Sequence, residues 1–194
     1  MTVSVTAAQR GAEFDWRKYL PAVALFAGLA WLCFGLESIV RPHEHNYRNA
    51  LFYIPWFPSM AVVFGLHDLH RDHGARFERW AAWLLMGAMA LVLAAQPAFI
   101  FGNDVLLPFA VAGFIGFLVG TVLFGVALYR AGVLPKPLAI GFAATQLGTM
   151  ATGLALSPWV PLADDGSYSG AVFHGVVFTS LAVWLIRRAK STGA

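Results

Sequence analysis

Apolar residues along this chain run in six long stretches, at about 19–40, 50–68, 80–101, 107–130, 137–158 and 169–188, separated by short polar connections. A hydrocarbon layer about 30 Å thick takes roughly 20 residues of helix to cross. Within lipid only intact helices, or closed barrels, satisfy their own backbone groups. The pattern therefore predicts an all-α, polytopic membrane protein, a bundle of six transmembrane helices. A polar segment at 1–18 precedes the bundle and a short tail at 189–194 follows it. The first apolar run exceeds a signal-peptide core, and no small-residue cleavage site clearly follows, so it reads as a retained helix.

Charge placement gives the orientation. Arg10, Arg17, Lys18, Arg71, Arg76, Arg79, Arg130, Lys136, Arg187, Arg188 and Lys190 flank one side of the six stretches, and only Arg41 and Arg48 flank the other. Eleven basic residues against two place both termini in the cytoplasm and the chain in the plasma membrane. Composition agrees: 59% of the 194 residues are hydrophobic, 12% are charged, and mean hydropathy is +0.67. The pI of about 9.3 does not point to nucleic acid, because the basic residues cluster at segment ends and form no stripe interleaved with aromatics. Cys33, the single cysteine, allows no intramolecular disulfide and reads as a small core hydrophobe.

Two stretches carry breaks. Pro55 and Pro58 in the second and Pro97 in the third each remove a backbone donor, which leaves the carbonyls of Leu51, Ile54 and Leu93 in need of other partners. Kinked helices with freed carbonyls tend to line a cavity. In the fourth stretch, Gly116 and Gly120 form a GxxxG pair suited to close helix packing inside the bundle.

Candidate chemistry is sparse and lies at one depth. Glu37, Gln96 and His174 fall in the outer half of their stretches, the half that also holds the proline breaks. An intramembrane carboxylate costs roughly 2.5–3.5 kcal/mol on insertion scales and marks a functional-site candidate. Glu37 either pairs with Arg41 one turn on, at the interface, or turns inward as a proton donor in a dry crevice. His174 is either a core histidine bonded to a backbone carbonyl or the group that orients that donor, a part Gln96 also suits. Thr145, Thr149 and Thr152 share a face of the fifth stretch, as interhelical hydrogen-bond partners or ligand contacts. Trp31, Phe34, Phe52, Tyr53, Trp56, Phe57, Phe99, Phe101, Phe109, Phe114, Trp159, Tyr168 and Phe173 supply aromatic rings at the same level, some as an interfacial belt and some as pocket walls. The 41–49 loop could lie over such a pocket with His45, Asn46 and Asn49. His67, His70 and His73, with Asp68 and Asp72, have a spacing that a divalent metal could use, but they lead into a solvated turn, and no metal is assigned.

Standard nucleotide, zincin and serine-hydrolase signatures are missing, and no aspartate-rich diphosphate motif occurs. No cofactor is expected. The small helical bundle with Glu37, Trp31, Phe34, Tyr53, Trp56, Gln96 and His174 resembles, in general character, the membrane-bound terpene cyclases of secondary metabolism. That resemblance implies closure of a prenyl chain attached to an indole, diketopiperazine or polyketide, begun by protonating an alkene or epoxide. The expectation is thus a membrane-embedded acid catalyst, a cyclase or isomerase of a prenylated lipophilic substrate. Glu37 would be the donor, His174 or Gln96 would orient it, Trp31, Phe34, Tyr53 and Trp56 would shield cations, and Asn46, Asn49 and Thr149 would contact substrate. A small permease or an accessory subunit of a membrane complex is the alternative. The inner half, mostly Gly, Ala, Val and Leu, offers little polar path for a permease.

Overall fold

The computed structural model describes residues 16–41, 47–70, 76–160 and 168–192, and these are helical with no strand among them. After a 3-10 turn at Trp16–Tyr19, α1 runs Leu20–Val40. The others are α2 (Tyr47–Leu51), α3 (Tyr53–His70), α4 (Arg76–Ala95), α5 (Pro97–Phe101), α6 (Leu107–Ala131), α7 (Lys136–Ala143), α8 (Thr145–Leu156) and α9 (Ala171–Thr192). Five helical runs are long and apolar enough to cross a membrane, and the bent α7–α8 pair makes a sixth if it counts as one span.

Two of the three prolines accompany breaks, while Pro58 lies inside the continuous α3. Pro55 has no N–H for the carbonyl of Leu51, and the helix is interrupted at Phe52, between α2 and α3. Pro97 interrupts the next run at Gln96, between α4 and α5. The Leu93 carbonyl freed by Pro97 receives the Tyr53 hydroxyl at 3.1 Å, and one turn earlier Trp56 Nε1 donates to the carbonyl of Met89 at 3.0 Å. Side chains of α3 therefore stitch it to the kinked part of α4.

The fifth stretch departs from the expected single helix: α7 and α8 meet at Ala144 with a bend of 64°. The Thr145 hydroxyl donates back to the Gly141 carbonyl at 3.0 Å, a local bond that competes with the helical ladder and favours bending. Packing completes the turn. A Cβ on Gly125 of α6 would strike the backbone of Ala143, so α7 lies hard against α6, while Gly170, just before α9, fits against the Thr149 carbonyl of α8.

Neighbour relations close a ring: α9 against α1, α1 against α3, α3 against α4, α4 against α6, α6 against α7, and both halves of the bent pair against α9. Small residues set the two closest pairings. Gly28, Gly35 and Gly175 bring α1 and α9 together, and Gly113, Gly116 and Gly120 bring α6 onto α4, inside the bundle. The outward faces stay apolar, with Phe26, Leu29, Ile54, Phe64, Val111, Ile115, Leu147 and Val183 all exposed. Cys33 belongs to this outer surface and not to the core. The inward face of α1 is set by Trp31, Phe34 and Ser38, and the apolar character of Cys33 does not distinguish the two sides of such a helix.

Candidate functional site

The bend at Ala144 leaves α6 packed along α7 but touching α8 only sparsely. Between α6 and α8, reaching back to α9, α1 and α3, lies a cavity of about 200 Å³. Trp31, Phe52, Trp56, Phe114, Phe117 and Tyr168 wall it with rings, and Gln146, Thr149, Met150 and Gly153 of α8 form its other side. Met150 is half-exposed on the flank of the bundle, so the cavity meets the apolar outer surface there.

His174, in the second turn of α9, stands at the back of this space and is buried. Its ring stacks on Phe117 with centroids 5.9 Å apart and lies 4.9 Å from Trp31. Nδ1 shares a hydrogen bond with the Thr149 hydroxyl at 2.5 Å, which fixes the ring across the α8–α9 contact. Nε2 is buried and has no hydrogen-bond partner among the described residues, and the same holds for the hydroxyl oxygen of Ser169, another residue of the lining. An unmade buried hydrogen bond costs about 1–3 kcal/mol, so two orphans on one cavity are a standing incentive for a ligand to supply partners. A neutral imidazole offers Nε2 as donor or acceptor according to the role Nδ1 takes with Thr149.

Below His174 the space narrows to about 10 Å³ beside Ser59, Thr121 and Thr145, room for about one water molecule at most. Beyond it Phe124, Phe142, Leu66, Leu85 and Leu128 are fully buried against each other and close that end. At the other end the Tyr168 hydroxyl donates to Asn49 Oδ1 at 2.6 Å, and Asn49 Nδ2 donates to the Phe99 carbonyl at 3.3 Å. The cavity therefore has a floor, and Tyr168 is anchored at its rim.

No protein-family model matches this chain, no curated protein does, and no solved structure does.

The structure brings together Trp31, Trp56, Thr149 and His174, with Phe52, Phe114 and Tyr168, in one lining, and Glu37, Gln96, Asn49, Phe34 and Tyr53 are not part of it. Glu37 is not in the cavity; it lines a groove between α1 and α3 on the outside of the bundle, with Cys33, Phe34 and Pro55. Its counter-ion is Arg48, not Arg41. Arg48 Nε meets Glu37 Oε2 at 2.6 Å and Nη2 meets Oε1 at 3.2 Å, while the Tyr47 hydroxyl donates to the same carboxylate. The Arg48 side chain is 1% exposed and that of Glu37 30%, so the arginine is the inserted member of the pair. It also donates to the Arg41 carbonyl and so ties α2 to the end of α1. Both oxygens of Glu37 are thus engaged, and neither faces the aromatic cavity.

Gln96 and Asn49 form a separate structural knot. Gln96 Nε2 donates to the Asn49 carbonyl at 3.1 Å, and both side chains are buried. Asn49 spends its amide on Phe99 and Tyr168 and does not act as a lid, because its side chain already links helices. Tyr53 uses its hydroxyl on Leu93 and stacks on Phe57, and Phe34 packs between Trp31 and Tyr168. Asn46, His43, Glu44 and His45, and likewise Asp72, His73, Asp164 and Asp165, lie outside the described residues. Asp68 is held by Arg17 at 2.8 Å, and His67 lies edge-on to Trp83. The aromatic set divides as well: Phe57, Phe101, Phe109 and Trp159 point outward, whereas Trp31, Phe34, Phe52 and Trp56 are buried.

Sequence reasoning missed Ser169 and Phe117. Phe117 lies on the inward flank of α6 beside the glycine face of Gly113, Gly116 and Gly120, a placement that helical phase could have flagged. Ser169 carried no signal beyond its position at the first residue of a predicted helix, two residues before α9 begins.

Proposed function

We propose that this chain is a multi-pass protein of the plasma membrane with both termini in the cytoplasm. We further propose that it is an intramembrane proton-transfer catalyst, a cyclase or isomerase of a prenylated lipophilic substrate. The apolar outward faces and the eleven-to-two distribution of basic residues support the placement. One observation carries the chemistry: in the lining of a cavity walled by aromatic rings, His174 has a buried Nε2 without a hydrogen-bond partner, and the other titratable lining residue, Tyr168, spends its hydroxyl on Asn49.

In this reading the proton work moves from Glu37 to His174. Nε2 takes a proton from a carbon next to a double bond and returns it at the far end of the allylic system, so the double bond migrates and no co-reactant is consumed. A cyclisation would instead start from the imidazolium: Nε2–H gives its proton to the alkene, and the neutral Nε2 recovers one from the final cation. In that cyclisation Trp31, Trp56 and Phe117 supply ring faces that stabilise the carbocation. Thr149 holds the imidazole in one orientation, so the base meets the carbon at a fixed angle. The closed floor beneath His174 disfavours a permease, which needs access from both sides.

The test is to purify the protein in mild detergent, identify the lipophile that travels with it by mass spectrometry, and follow conversion by wild type and His174→Gln. Conversion by wild type that is lost in His174→Gln is expected. Equal conversion by the two proteins would remove the assignment.

A further inference from the structure

The chemistry of the lining narrows the ligand class, and this step rests on the reading just given. Among the described residues, no Lys, Arg, Asp or Glu lines the cavity. Arg48, a strong cation at the same end of the bundle, is buried against Glu37 and the Arg41 carbonyl. A phosphate or carboxylate head would enter this space with no counter-charge, and an ammonium head would find no carboxylate. Either would lose its hydration against apolar walls, a cost of several kcal/mol per ion. Two residues of the lining, Ser169 and His174, hold buried polar atoms without hydrogen-bond partners, Oγ and Nε2. A neutral oxygen head, hydroxyl or carbonyl, is one that can pair with such an atom without bringing charge into the space.

Size and direction supply the rest. About 200 Å³ is below the roughly 300–1,000 Å³ of sites that enclose a whole drug-sized ligand. The head and the first carbons fit, and the remaining chain must leave. Met150 of α8 is the exposed residue of the lining and Phe114 of α6 is partly exposed, and Leu147, Leu154 and Ile115, on the same two helices, are exposed apolar residues.

We propose that this cavity takes a single-chain amphiphile with a neutral oxygen head, such as a prenyl alcohol or a prenylated ketone. It enters sideways from the lipid between α6 and α8, with its head at Ser169 and His174 and its chain passing Phe114 and Met150.

The test uses the full chain in phosphatidylcholine nanodiscs and a farnesol analogue bearing a photoactivatable diazirine on its chain, with the labelled peptides mapped by mass spectrometry. Labelling is expected on the α6 and α8 peptides around Phe114 and Met150. Farnesol should compete at least tenfold better than farnesyl phosphate or farnesylamine. Ser169→Ala should weaken labelling about fivefold, and Met150→Trp should abolish it at the cleft. Labelling spread over the whole outer surface, or equal competition by the charged analogues, would overturn the proposal. If either variant fails to assemble, competition on the wild-type protein decides the matter. If the neutral amphiphile labels the cleft while His174→Gln converts substrate as wild type does, the ligand class stands and the proton-transfer reading falls. If conversion depends on His174 but the charged analogues compete equally well, the reverse holds.

Discussion

Thr149 and His174 meet at 2.5 Å across the seam between α8 and α9, and this bond exists because the helix before it is broken. A straight helix through 137–158 would keep α8 parallel to α7 against α6; the 64° bend instead carries Thr149 toward α9 and opens the space that His174 faces. Thr149→Val, which keeps the shape and removes the hydroxyl, is expected to lower conversion by roughly 10- to 100-fold, the scale for losing the orientation of a reacting group. The loss should fall on kcat more than on KM, and Thr149→Ser should restore most of it. A purely structural role would instead lower thermal stability and leave kcat per folded molecule unchanged.

Glu37 and Arg48 should behave as a fold element. Removing the charge of one partner leaves a buried guanidinium without its counter-ion, which costs about 3 kcal/mol or more. Glu37→Gln is therefore expected to unfold in detergent at a lower temperature, while the folded fraction still converts substrate. Loss of conversion with unchanged stability would return the proton-donor role to Glu37.

Tyr53→Phe probes the stitch between α3 and the kink above Leu93. Deleting this hydroxyl leaves the carbonyl that Pro97 has released with only the long 3.4 Å bond from the Gln96 N–H, at an expected cost of about 0.6–2 kcal/mol. Unfolding by sodium dodecyl sulfate titration reads that loss directly, and wild-type stability in the variant would show that another donor serves Leu93.

Orientation can be read with single cysteines in a Cys33→Ser background. Val105, exposed between α5 and α6, and Ser191, near the end of α9, lie at opposite ends of the bundle. In intact cells an impermeant maleimide should label Val105→Cys and reach Ser191→Cys only after lysis. Labelling of Ser191→Cys before lysis would contradict the proposed orientation.

Much of the architecture was legible because long apolar runs leave few options. Long apolar runs must be helices, and a proline in one of them frees a known carbonyl; the prediction that Leu93 needs a partner is answered by Tyr53. Which face of a helix turns inward was harder to read, because lipid and core are equally apolar; Cys33 and Glu37 illustrate this, the one exposed and the other on an outer groove. Arg41 is the nearer cation in sequence, but the chain turns back after α1 and inserts Arg48. The break at Ala144 has no proline to announce it and follows from Thr145 bonding back to Gly141 and from glycine contacts made far apart in sequence. His174 and Thr149 were visible as polar residues in apolar stretches; Ser169 was not, since a serine ahead of a helix is usually a cap.

The role of His174 is tested most directly by isotope uptake. With the protein in nanodiscs prepared in heavy water and supplied with its co-purified lipophile or a prenylated ketone, wild type should place up to one deuterium on carbon per conversion, to the extent that the proton held at Nε2 exchanges before its return, and His174→Gln should place none. Equal uptake and equal conversion by both proteins would contradict proton transfer at Nε2.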